Sequence, residues 1–433
     1  MNRFLLLILI SLTINACSFD TKSGIWTEKK NLISEKTKST KIFVKEKILN
    51  KEFNPNLEIT LKSKLIDNSF INNLTNNNGR INYNGELKKI SKYKFSKIDS
   101  FEYHEPEFIF ESDSIIFFDN KGSIIKFDSN SNIIWKKNYY NKQEKKLRPV
   151  LTFAKNTKTL IVADNLSKYY AIDLKSGKLL WTKYNKSPFN SQIKTYNDVF
   201  FIIDFNNELR CISIKDGKEL WNVKGNSTFI KSPKKLSMII VNNSLYYNDT
   251  IGNITSINLS DGNMLWQTPT QNSTIFEDTF LLRTSNIVAD QETLVFSNNK
   301  NELYSLNLVT GNIRWKQNVN SSLQSTIINN LIFNITDEGY LVIIDNKNGN
   351  IIRISDVFSS IKKKKRKKIS PVGFIVAKNN IYLTTDNGRL FVINTKNGKT
   401  KSIIKIDNNK ISRPFILNRN MFLIKDDSII KLD

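Results

Sequence analysis

The sequence predicts an all-β protein: an eight-bladed β-propeller of four-stranded antiparallel blades, its ring closed by an N-terminal strand. Three observations predict it. A signature of apolar strand, polar turn with Gly, and short strand ending in Trp recurs along most of the chain. Its copies lie 38 to 49 residues apart, the length of one propeller blade. The last copy, "DDSIIKLD" at 426–433, has the first strand but neither the turn nor the Trp.

The chain has 433 residues, too many for one ordinary compact core, so a repeat architecture fits its length. It opens on "MNRFLLLILISLTINAC". One Arg precedes an apolar run that is too short for a stable membrane span but suits a secretory signal. Ile14-Asn15-Ala16-Cys17 resembles a bacterial lipobox, so residues 1–16 are expected to be a lipoprotein signal peptide and Cys17 the lipidated residue. Ser18 follows, and by the same resemblance a residue other than Asp there implies release to the outer membrane. An ordinary signal peptide with a chance Cys is the alternative. With Cys17 lipidated, Cys211 has no partner for a disulfide; it sits in the apolar stretch "ELRCISI" as a small core residue.

Residues 17–84 are polar and rich in Lys and Asn, and read as a lipidated tether and lead-in segment, with 18 to about 60 the tether proper. Trp26 lies near its start. The propeller is expected over 85–433. Ahead of the first blade, "ELKKISKYKFSKI" at 86–98 is strand-like but has no hairpin partner, so it is expected to supply the outer strand that the last repeat lacks. A closed ring needs its last blade to mate with its first, and such pairing hides the sheet edges.

Four full copies carry the signature: "KYYAIDLKSGKLLW", "ELRCISIKDGKELW", "NITSINLSDGNMLW" and "ELYSLNLVTGNIRW". Period-two patterning and β-branched content argue for strands. Gly177, Gly217, Gly262 and Gly311 stand where a tight turn needs a positive φ. Trp181, Trp221, Trp266 and Trp315 close the copies, and each is expected to pack between blades. A weaker copy keeps Trp135, with Ser131 near its Gly position. Two more keep Gly349 and Gly398 but end on Arg353 and Ser402, which predicts looser sixth and seventh blades. Pro106, Pro149, Pro233, Pro371 and Pro414 precede apolar runs, where a strand's first residue tolerates Pro.

The sequence offers no catalytic, cofactor-binding or metal residues. His104 is the one histidine, in "EYHEPEF", without a nucleophile or second ligand beside it. His or Cys metal clusters are excluded by count. No phosphate loop, dinucleotide glycine pattern or serine elbow occurs. The net charge of +25 is spread along the whole chain with no recognition helix, so no nucleic-acid partner is expected. "KKKKRKK" at 362–368 is its sharpest concentration, read as a solvated loop that can meet anionic headgroups or an acidic protein patch.

The repeated signature resembles that of quinoprotein enzymes. With the lipobox and a last copy broken off inside its blade, the chain resembles the BamB-type lipoproteins of the outer-membrane β-barrel assembly machinery over about 85–433. "NNNGRINYNGELKKISKYKF" also resembles the lead-in of alphaproteobacterial members. The resemblance implies a non-catalytic scaffold, lipid-anchored through Cys17 to the outer membrane and facing the periplasm. Its implied partners are the periplasmic domains of the barrel-inserting subunit and unfolded β-barrel clients. It places the contact on the connections 222–233 and 267–286. Phe229, Ile230 and Lys231 are loose counterparts of the family's contact residues in the first. In the second, "LLRTSN" stands where the family has paired Asp, giving Leu281, Leu282, Arg283 and Asn286. Another envelope-associated propeller that binds polysaccharide or protein is the alternative. A quinone-dependent dehydrogenase would need a cofactor, calcium and, in the alcohol-oxidising type, an adjacent Cys pair, which the sequence lacks.

Overall fold

Each repeat folds as a four-stranded meander, because three short turns let each strand pair with its sequence neighbour. In the computed structural model, which describes residues 49–69, 74–225, 234–270 and 283–433, eight such sheets follow one another. Blades 1 to 7 span 109–137, 151–184, 194–224, 238–268, 288–317, 326–356 and 371–405. Blade 8 takes three strands from 415–432 and its outer strand from Lys89–Lys94. That strand pairs antiparallel with Ser428–Leu432, within the 86–98 expected from sequence. Tyr93 rivets it in place: it is buried, its ring edge-on to Phe127 of blade 1 and tilted against Phe422 of blade 8. Pro149, Pro371 and Pro414 stand at or within two residues of the start of an inner strand.

The apolar core runs between blades. One cluster joins Ala154, Ile161 and Ala171 of blade 2 to Phe200, Ile202 and Ile212 of blade 3, and similar clusters fill the other junctions. In every blade the register of the outer strand slips by one residue just before the Trp position, as at Leu179/Trp181. A bulge there re-aims the side chain that follows. Trp135, Trp181, Trp221, Trp266 and Trp315 thereby lie against the turn glycines of the next blade, Gly177, Gly217, Gly262, Gly311 and Gly349. Three of the indoles also donate across the junction, Trp181 to the Ile214 carbonyl at 2.8 Å, Trp266 to that of Leu308 at 3.2 Å and Trp315 to that of Asn346 at 2.9 Å.

The expected looseness at Arg353 is not found. Arg353 takes the Trp register opposite Ile343, is fully buried and stands over Gly398. Its guanidinium donates to the carbonyls of Lys396 in blade 7 and, at 2.9 Å, Leu57. Those carbonyls solvate the charge, so a cation serves where an indole does elsewhere. Ser402, by contrast, is exposed.

Residues 49–69 run along the propeller. Phe53 and Ile354 exchange backbone hydrogen bonds at 3.1 and 3.0 Å, the Ile59 amide donates to Lys396, and that of Ser69 to Ile416. The contacts with Lys396 and Ile416 lie on one face, here called lower, where third strands turn into outer strands. Connections between blades emerge on the other, upper face. The basic run lies in one of them: Lys363–Arg366 form a single helical turn with exposed lysines, and Arg366 pairs with Asp356 at 2.6 Å. No helix among the described residues is long and apolar enough to cross a membrane.

Candidate partner face and plugged channel

Inner strands of a propeller surround a central channel. Here the chain fills its own channel. Residues 74–79 rise into it as a tongue and 80–82 return towards the lower face. At the base Ile66 and Ile81 lie side by side, with the Ile66 amide donating to Arg80 and that of Asn82 to Ile66, both at 2.8 Å. The tip is Asn76-Asn77-Asn78-Gly79. Asn76 and Asn77 have φ of +63 and +53, values Asn tolerates better than most residues.

The tip is held by polar contacts to four blades. Asn76 donates to the Ser237 hydroxyl at 3.0 Å and the Ile287 carbonyl at 2.9 Å, in blades 4 and 5. Lys194 of blade 3 donates to the Asn76 side chain, and Gln324 of blade 6 to its carbonyl. The Ile327 amide donates to the Asn78 side chain at 2.7 Å. Descending, Arg80–Ile81 add a short parallel strand to the inner strand of blade 7. A polar tongue can be buried because its amides and carbonyls find partners on the surrounding strands.

Above the tip the channel opens on the upper face as a shallow cup. Its lining comes from the residues just ahead of the inner strands: Glu105 and Glu107 in blade 1, Lys234 and Lys235 in blade 4, Arg283 and Asn286 in blade 5, Gln324 in blade 6, and Lys410 and Arg413 in blade 8. A small recess of about 10 Å³ lies between Glu105, Lys234, Asn286, Gln324 and Arg413. Lys194 lies fully buried against the tongue tip, where burial pushes its ammonium down to about 7 against the pull of Glu107. His104 sits beside the cup. Burial, then Lys235 and Lys410, push its imidazole down to about 4.

The structure brings two of the sequence-predicted partner residues to this rim. Arg283 is exposed, its backbone amide held by Asn299 at 2.9 Å; Asn286 reaches Gln324 at 3.4 Å. Phe229, Ile230, Lys231, Leu281 and Leu282 lie outside the described residues, as does Cys17. Cys211 is buried in blade 3, and burial pushes its thiol up to about 12. Sequence reasoning missed Asn76, Lys194, Gln324 and Arg413. A usable signal was present: charged residues stand just ahead of the apolar runs at the repeat period.

The family profile of Outer membrane protein assembly factor BamB matches residues 120–355, more than half of the chain. The chain belongs to the BamB family. BamB from Moraxella catarrhalis superposes with a TM-score of 0.66 at 13% identity, covering 80% of this chain and 99% of that one. The computationally designed Ika8 protein gives 0.59 at 9% identity, with 78% and 99% covered. A europium-containing methanol dehydrogenase gives 0.62 at 10% identity, with 80% and 87% covered. At these identities the three likenesses concern the fold alone. Comparison with curated protein sequences returns no match.

Proposed function

We propose that this BamB-family protein is a non-catalytic scaffold lipoprotein, anchored through Cys17 to the outer membrane and facing the periplasm. Its upper face binds the periplasmic domains of the barrel-inserting subunit and supports insertion of β-barrel clients. The observation that carries this reading is family membership, matched over residues 120–355 in blades 1 to 6. The dehydrogenase likeness raises the question of a quinone and a lanthanide ion, and the residues present do not fit them. The tongue fills the channel, and among the described residues no group of three or more His, Cys, Asp or Glu side chains is placed to hold a metal. Binding is therefore assigned to the rim. Exposed Arg283, whose side chain takes part in no hydrogen bond or ion pair among the described residues, is its leading contact.

The test is a mild-detergent pull-down with the native protein as bait. The barrel-inserting subunit should co-purify with wild type and be weakened by Arg283→Glu at unchanged melting temperature. Undiminished capture by a folded Phe229→Ala/Arg283→Glu double variant would place the partner elsewhere. Cys17→Ser should yield a soluble or uncleaved precursor. A mature variant that still fractionates with the outer membrane would overturn the anchor.

A further inference from the structure

The cup holds cations that the fold does not neutralise. Lys235, Arg283, Lys410 and Arg413 reach it from three blades, and among the described residues none of them has a carboxylate oxygen within 4.0 Å. Lys235, Lys410 and Arg413 spend donors on neutral acceptors instead. Lys235 donates to the Thr152 hydroxyl at 2.7 Å, Lys410 to the Glu102 carbonyl at 2.9 Å, and Arg413 to the Gln324 amide oxygen. The Nε of Arg413 is buried with no acceptor at all.

These groups converge closely enough to feel one another. Lys410 is pushed down first by its own burial and also by Lys234 and Arg283, against the pull of Glu105 and Glu102. The depressed imidazole of His104 reports the same positive potential from the blade 1 side. Glu105 and Glu107 are the acidic counterweights, and Asp337 lies near Lys234 and Arg283. Partly buried cations held by neutral dipoles, one with an idle donor, lower their energy when an anion arrives.

We propose that the cup receives a carboxylate-bearing stretch of the protein partner, with Lys235, Lys410 and Arg413 as the receiving cations and the tongue tip as the floor. The inference rests on the scaffold reading for the identity of the partner. Two features favour a protein carboxylate. The cup opens at the centre of the face assigned to the partner. Glu105 and Glu107 leave the cup with a modest positive excess, which suits singly charged groups better than a dense phosphate.

The test uses the full chain and three probes, hexaglutamate, hexaglutamine and inorganic pyrophosphate, by calorimetry at low salt. Hexaglutamate should bind, hexaglutamine should not, and Lys235→Gln/Lys410→Gln should weaken hexaglutamate by about tenfold or more. Because the whole chain is basic, a control with the same charge loss, Lys363→Gln/Lys364→Gln, should change it little. Equal losses in the two double variants, or no binding, would overturn the cup as a site. Preference for pyrophosphate would overturn the carboxylate assignment. The barrel-inserting subunit's periplasmic domains then separate the two readings. If they bind wild type and Lys235→Gln/Lys410→Gln equally, the cup inference fails and the scaffold reading stands. If they bind neither while hexaglutamate still distinguishes the variants, the scaffold reading fails and the cup remains an acidic-peptide site.

Discussion

Replacing Gly349 by Ala tests the lock between blades at one atom. Gly349 turns the third strand of blade 6 into its outer strand with φ of +76, and the Trp315 ring of blade 5 lies over it. A Cβ there would stand 2.6 Å from Trp315 Cδ2 and 2.8 Å from Cε3 and Cγ. Ordinary carbon contacts lie about 3.5 to 4.0 Å apart, so the ring would have to retreat by roughly 1 Å. Trp315 is buried, and its indole nitrogen is held by Asn346, so retreat also strains a hydrogen bond. The left-handed backbone costs an Ala about 1–2 kcal/mol and overpacking about 1–3 kcal/mol. Loss of glycine's freedom in the unfolded chain returns about 0.4–1 kcal/mol. The net expectation is a destabilisation of roughly 2–4 kcal/mol, read from urea denaturation midpoints at unchanged slope. In a Trp315→Leu background the overpacking vanishes, and Gly349→Ala should cost only about 1 kcal/mol. A coupling energy within about 0.5 kcal/mol of zero would refute the lock, since additive changes mean the ring does not set the limit.

Three further outcomes are expected. Arg353→Leu strips the Leu57 and Lys396 carbonyls of a charged donor and should destabilise by about 3 kcal/mol, while hydrogen exchange at the Phe53 and Ile59 amides accelerates; unchanged protection of both amides would contradict the tie. Tyr93→Ala removes the rivet between blades 8 and 1 and should cost about 3–5 kcal/mol, with aggregation on mild heating as ring edges are exposed; a monomer of wild-type melting temperature would argue against closure at this strand. His104 has its folded pKa depressed from 6.5 to about 4, so the neutral form favoured by the fold is fully available above 6.5 and its stabilisation is lost as pH falls towards 4. His104→Gln should accordingly flatten the fall in melting temperature over that window, and an identical fall in both proteins would dismiss the effect.

Periodic chemistry made the ring legible. A turn glycine, an alternating strand and a Trp are local demands of one hairpin, repeated, so sequence shows them directly. The closing strand at 89–94 was legible as a strand without a neighbour. Arg353 misled, because in sequence a cation in an indole's slot looks like lost packing. Its solvating carbonyls belong to Leu57 and Lys396, which only the fold brings near. The tongue was illegible for a related reason. "NNNGR" is polar and aperiodic, and the side chains of Asn76 and Asn78 at its tip bond to residues more than a hundred positions away, Lys194 being 118 and Ile287 211 from Asn76. Cup residues such as Arg413 are scattered among the inner-strand approaches, and nothing local marks their convergence.

The tongue also fixes an order of events. It precedes every blade in the chain, so during synthesis it exists before any wall of the channel that encloses it. Blades added in turn can gather round it, and the strand at 89–94 waits until 428–432 arrive to shut the ring. No segment has to be threaded through a finished hole. A circular permutant that begins at blade 2 would reverse this sequence, making the tongue after most of its enclosure. Its refolding should slow markedly at unchanged final stability, and refolding at the native rate would show that the ring opens freely enough to admit its own axle late.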